Sequence, residues 1–165
     1  MNSRPIASFV GFLALASCAG DAPDAESSSA GAPFRPVASV QELMLTVVEP
    51  GAETYWDAVG WIIDAEGTQE IRPGSDEEWE AVRNAAFQVA ESGNLLMMEG
   101  RAPEGDETWI AMSQAMTAMA ERAIDAALAR DELGVFRIGG DLYETCTACH
   151  AAYALETLRP NAQVE

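Results

Sequence analysis

The stretch Leu142-Tyr143-Glu144-Thr145-Cys146-Thr147-Ala148-Cys149-His150-Ala151-Ala152-Tyr153 sets Leu142, Cys146, Cys149 and Tyr153 at 4-3-4 spacing, the pattern of one face of an α-helix. Nothing around it reads as a strand. The segments ahead of it repeat the helical period, so this reading carries the fold class with it.

Working back from that helix, the break at Leu133-Gly134 is short, which makes the preceding segment an antiparallel neighbour. That segment, about Glu107 to Arg130, places Trp109, Met112, Met116, Met119, Ile124 and Ala127 on one side. Gly100 to Gly105 is a turn. Before it, Ser75-Asp76-Glu77-Glu78 opens a helix as a capping box, with Trp79, Val82, Ala86, Val89 and Leu96 at helical spacing. Glu66 to Ser75, with Gly67 and Pro73-Gly74, reads as a loop. From Ser39, a suitable N-cap, the stripe Val40, Leu43, Met44, Val47, Val48 begins the first helix. Pro50-Gly51 interrupts it, and apolar residues resume at Tyr55, Trp56, Val59 and Trp61-Ile62-Ile63, which predicts one long helix kinked or broken at the proline. Four helices with modest loops predict an all-α fold, an antiparallel four-helix bundle over residues 37–165 with its cofactor site in the core.

Within the last helix, Cys146-Thr147-Ala148-Cys149-His150 is a C-x-x-C-H run, the attachment signature of a c-type haem. Cys146 and Cys149 stand at i and i+3, so both thiols leave one face and can add to two vinyl groups on one porphyrin edge; His150, at i+4, falls beneath the iron. A thioredoxin-like pair would want a βαβ setting and a helix N-terminus to lower the thiol pKa. A zinc site would need a fourth ligand, and the domain holds no further Cys or His. One covalent haem c, bound through Cys146 and Cys149 with His150 as proximal iron ligand, is the expected cofactor.

The composition suits an exported carrier. Nine arginines, no lysine and 27 acidic residues give a net charge of −18 over 165 residues. Such a surface repels phosphate backbones and anionic headgroups, which argues against nucleic-acid binding and against polybasic membrane contact. Its electrostatic complement is a partner protein with a basic surface, although the acids also keep a helical surface soluble. No grouping of acid, base and nucleophile argues for an enzyme.

Residues 1–17 combine Arg4 with an apolar run from Ile6 to Leu15 that is too short to span a bilayer, and read as a signal peptide. The run ends in Leu15-Ala16-Ser17-Cys18, which resembles the lipobox of bacterial lipoproteins. That resemblance implies lipidation at Cys18, which becomes the mature N-terminus, and export to the periplasm with a membrane anchor. Residues 18–36, rich in Ala, Ser, Gly, Asp and Pro, have linker composition.

A C-x-x-C-H on the last helix of a bundle is similar to the class II cytochromes c, cytochrome c-prime and its low-spin relatives, over about residues 38–155. Two positions depart from that family: Ala154 stands where a basic residue usually follows the haem His, and Val40 where an Arg often precedes the sixth-ligand position. His150 is the single histidine and there is no lysine, which leaves a methionine, water or an open site opposite it. The resemblance places the sixth position on the first helix, where Met44 is the methionine; Met97, Met98, Met112, Met116 and Met119 compete with it. With Met44 bound, the expected function is electron transfer, because the thioether closes the iron and stabilises its ferrous form. With Met44 merely packed, an open iron binding nitric oxide or carbon monoxide is expected, and a haem-bearing interaction protein is the non-redox alternative. The family is often dimeric through its first two helices, which makes a homodimer a further possibility.

Overall fold

The structure, a computed structural model, describes residues 34–154. The signal-peptide segment, Cys18, most of the linker and residues 155–165 lie outside the described residues. The described chain is mostly helical, with a single small sheet: α1 Val40–Leu43, a π-helical turn Met44–Val48, α2 Glu49–Trp56, β1 Gly60–Asp64, β2 Gly67–Ile71, α3 Asp76–Leu96, α4 Glu107–Ala129 and α5 Glu132–Tyr153.

Ser39 caps α1 as expected, and Glu42 completes a reciprocal box: Ser39 Oγ accepts from the Glu42 N–H at 3.2 Å, and Glu42 Oε2 accepts from the Ser39 N–H at 2.9 Å. The helix does not break at Pro50. The widened turn, closed by the Glu49 N–H on Met44 O, precedes the proline, which takes one of the first positions of α2, where a missing N–H costs little. Gln88 Nε2 reaches over from α3 to donate to Val47 O at 2.5 Å.

The expectation of helix through Ile63 and loop from Glu66 is corrected by the hairpin β1–β2. Its register pairs Gly60 with Ile71 and Asp64 with Gly67, leaving Ala65-Glu66 as a two-residue turn. Asp64 Oδ1 accepts from the Glu66 and Gly67 N–H groups, both at 3.0 Å, and Gly67 takes φ +138°, open to glycine and rarely to other residues. Trp61, Ile62, Ile63, Thr68 and Ile71 suit extended backbone. Along both strands only the terminal Gly60 and Ile71 are even partly buried, so no inward-outward alternation is present for a sequence to display.

The capping box at Ser75 is present, with Ser75 Oγ accepting from the Glu78 N–H and Glu78 Oε2 accepting from the Ser75 N–H. Trp79, Val82, Ala86, Val89 and Leu96 are all buried as predicted. α4 buries Trp109, Met116, Ile124 and Ala127, while Met112 and Met119 are only half-buried. The break before α5 falls at Arg130-Asp131, not at Leu133-Gly134: Arg130 adopts φ 53° and Asp131 caps α5, accepting from the Gly134 N–H at 3.0 Å.

Each helix packs against the next, α2 on α3, α3 on α4, α4 on α5, and α5 returns to α2. The α3–α4 approach is close enough that a Cβ on Gly93 would fall 2.0 Å from Thr117 Oγ1 and 2.8 Å from Ser113 O. Leu43, Tyr55, Val89, Val135 and Leu142 fill the centre, where the Tyr55 hydroxyl points at Ala123 O, 3.5 Å away.

Candidate functional site

The C-x-x-C-H run occupies the last two turns of α5. Thr147 and Ala148 are exposed, whereas Cys146, Cys149 and His150 are half-buried. Cys146 packs against the core cluster. The cysteines are not joined to each other, and burial raises both thiols; the neighbouring Cys149 adds to the effect on Cys146, which is pushed up to about 11. They therefore stay protonated at neutral pH. The end of a helix presents carbonyls and a negative dipole, which disfavours a thiolate, so the thioredoxin-like alternative lacks its activating surroundings. Among the described residues no three His, Cys, Asp or Glu side chains group as metal ligands.

The end of α5 is tied to the start of α4. The Tyr153 hydroxyl donates to Asp106 Oδ2 at 2.8 Å, and the Tyr153 ring meets Trp109 edge-on at 5.0 Å. Asp106 caps α4 through Oδ1, which accepts from the Trp109 N–H at 3.0 Å; that bond first, and the Tyr153 hydroxyl second, hold its carboxyl below the usual value. Trp109 Nε1 donates to Leu96 O at 2.9 Å, which brings in the end of α3. Arg101 donates from Nε to Ala38 O at 3.1 Å and from Nη1 to Leu95 O at 3.0 Å, which brings in the start of α1. One end of the molecule thus collects the beginnings of α1 and α4 and the ends of α3 and α5.

Met44 is half-buried, packs against the core and opens the π-helical turn. That turn packs on α3, while α5 is met further along by α2, where Trp56 Nε1 donates to Gly139 O at 2.9 Å. Two competing methionines already have partners: Met98 Sδ accepts from Arg101 at 3.5 Å and Met119 Sδ from Arg122 at 3.3 Å. Met116 is buried in the core; Met97 and Met112 are half-buried. Among the described residues a cleft of about 810 Å³ lies along Gly100–Asp106 and Ile110, and another of about 280 Å³ lies between α2 and α5; neither is lined by Cys146, Cys149 or His150.

The residue types that a c-type haem requires, two thiols and one imidazole, stand together on the half-buried last two turns of α5. The bond of Tyr153 to Asp106 and the bonds of Arg101 to Ala38 O and Leu95 O lie outside the sequence reading. Asp106-Glu107-Thr108-Trp109 carried a cap signal for α4, but the pairing with Tyr153 joins residues 47 apart and has no local signature. No protein-family model, curated protein or solved structure matches this chain.

Proposed function

We propose that the chain is a c-type cytochrome of class II type, an antiparallel four-helix bundle carrying one covalent haem and transferring electrons on the periplasmic side of a membrane. What supports this is the C-x-x-C-H spacing of Cys146, Cys149 and His150, all half-buried on the last two turns of α5, with Cys146 packed on the core. Cys146 and Cys149 hold the haem as thioethers, and His150 supplies the proximal ligand. Bound haem supplies a one-electron iron couple. Met44 supplies the sixth ligand and favours the reduced form, and the surrounding apolar side chains exclude water. Lipid at Cys18 anchors the domain through the 18–36 linker, and the acidic surface selects a redox partner of opposite charge.

One observation favours a second reading. The turn that bears Met44 packs on α3, and if Met44 keeps its place in that packing, the iron is open and the function is binding nitric oxide or carbon monoxide. The optical spectrum of chain matured with haem-attachment machinery separates the two. A low-spin ferric form with a weak near-infrared thioether band, and a ferrous form inert to carbon monoxide, establish the carrier. A high-spin form that binds carbon monoxide rapidly establishes the gas binder.

A further inference from the structure

Helix α5 carries two apolar stripes, and the core uses only one. Val135, Gly139 and Leu142 are buried, with Ile138 and Cys146 packed beside them. Leu133, Phe136, Gly140 and Tyr143 recur at i, i+3, i+7 and i+10 on a second side, where Phe136 is 48 % and Tyr143 60 % exposed. Nothing stands within 4 Å of the place a Cβ on Gly140 would take.

The hairpin extends this surface. Trp61 and Ile63, which share one face of β1, are exposed, Ile63 to 78 %, and the Trp61 ring meets Phe136 edge-on at 5.1 Å; Ile62 lies on the other face. Between α2 and α5 the stripe borders the cleft of about 280 Å³, whose walls include Trp56, Val59, Phe136 and Tyr143. Trp56 meets Tyr143 edge-on at 5.7 Å while bonded to Gly139 O, so the cleft is already held open by packed rings. A contiguous apolar surface of this kind on one side of a soluble domain marks an interaction site.

Charge identifies the occupant. Residues 57–72 and 131–144, which build this side, contain eight carboxylates and two arginines. One of the two, Arg72, is taken up by Glu70 at 3.8 Å and Glu132 at 3.3 Å. A second copy would bring the same acids and another −18, and an anionic bilayer would be repelled in the same way. We propose that the hairpin and the outer stripe of α5 form a docking surface for a basic protein, one whose contact patch sets an apolar side chain into the α2–α5 cleft inside a ring of lysine and arginine. Tyr143 O accepts from Thr147 Oγ1 at 2.9 Å, one turn before the end of the C-x-x-C-H run, so a docked partner would sit against the haem-bearing turns. That last link rests on the cytochrome reading; the docking surface itself does not.

The probe is a helical peptide of leucine and lysine with a single leucine stripe, titrated against the full matured chain by fluorescence anisotropy. Ile63→Glu and Phe136→Glu should each weaken binding roughly tenfold or more, the range of interface anchor residues. Phe87→Glu on α3 and Leu128→Glu on α4, equally exposed apolar sites elsewhere, should leave it unchanged. The double variant Asp141→Lys/Glu144→Lys, at two exposed positions of which Asp141 pairs with Arg122 at 3.6 Å, should weaken binding and flatten its salt dependence. No binding, or equal weakening by all four glutamate variants, overturns the proposal. So does sedimentation of the chain alone as a dimer that Ile63→Glu dissociates, or binding of a Cys18→Ala chain to phosphatidylglycerol vesicles through the same residues. If the peptide binds as described but the purified chain carries no haem, the docking surface stands and the cytochrome reading falls.

Discussion

The Tyr153 hydroxyl and the Asp106 carboxylate, 2.8 Å apart, join the last turn of α5 to the first turn of α4. Tyr153 follows His150 by one turn of the same helix, so this bond fixes the turn that presents the imidazole. Desolvation and then the bond to Asp106 push the Tyr153 phenol up to about 12, so the phenol remains a donor throughout the physiological range.

Asp106 makes the clamp sensitive to acid. Its carboxyl is held below its ordinary value in the folded chain, so the stability it contributes is present above the unfolded carboxylate pKa of about 3.9 and is lost as pH falls through the lowered folded value. Asp106→Asn keeps a good N-cap residue without the titration. Thermal melts below about pH 4 should fall less steeply for Asp106→Asn than for the wild type. Parallel curves would show that the carboxylate contributes nothing to acid stability.

Gly93→Ala should destabilise the fold by about 1–3 kcal/mol, because its methyl cannot share space with Thr117 Oγ1 and the Ser113 carbonyl without separating α3 from α4. Removing the hydroxyl as well, in Gly93→Ala/Thr117→Ala, should recover only part of the loss, since the Ser113 carbonyl belongs to the backbone. Urea denaturation measures both.

Burial of the thiols predicts slow alkylation in chain made without haem-attachment machinery. With Cys146 pushed up to about 11, against an ordinary thiol near 9, its thiolate is roughly a hundredfold scarcer at neutral pH. Its rate with iodoacetamide should therefore go on rising beyond pH 9. A plateau near pH 7 would instead mark an activated dithiol and revive the thioredoxin-like alternative.

Much of the helical fold is legible because it rests on local signals: an N-cap at Ser39, a capping box at Ser75, and apolar stripes that the core largely takes up. The hairpin is not legible in the same way, because Trp61-Ile62-Ile63 faces solvent and so lacks the period-two pattern that burial imposes on a strand; Asp64-Ala65-Glu66-Gly67 was the available turn signal. Proline alone predicts a kink or a break at Pro50; the π-helical turn ahead of it carries the helix through without a break. At the site, the spacing of Cys146, Cys149 and His150 depends only on helix geometry and is readable. The Asp106–Tyr153 clamp and the Arg101 contacts depend on which helix ends meet, which no single segment encodes.

Met44→Ala separates ligation from packing. In the holoprotein it should turn a low-spin haem high-spin and lower its potential, because the sulfur that favours ferrous iron is gone. Met116→Ala, at a buried core position, should leave the spectrum unchanged and cost about 2–5 kcal/mol of stability. An unchanged spectrum in Met44→Ala would pass the sixth position to Met97 or Met112, whose sulfurs are not engaged by arginine.

The most direct measurement is the intact mass of the chain matured in a host that attaches haem covalently. The expected mass is polypeptide plus one haem, retained through acid-acetone extraction and lost when Cys146 and Cys149 are both replaced by alanine. A mass equal to the polypeptide alone, or haem that extracts freely from the wild type, would contradict it.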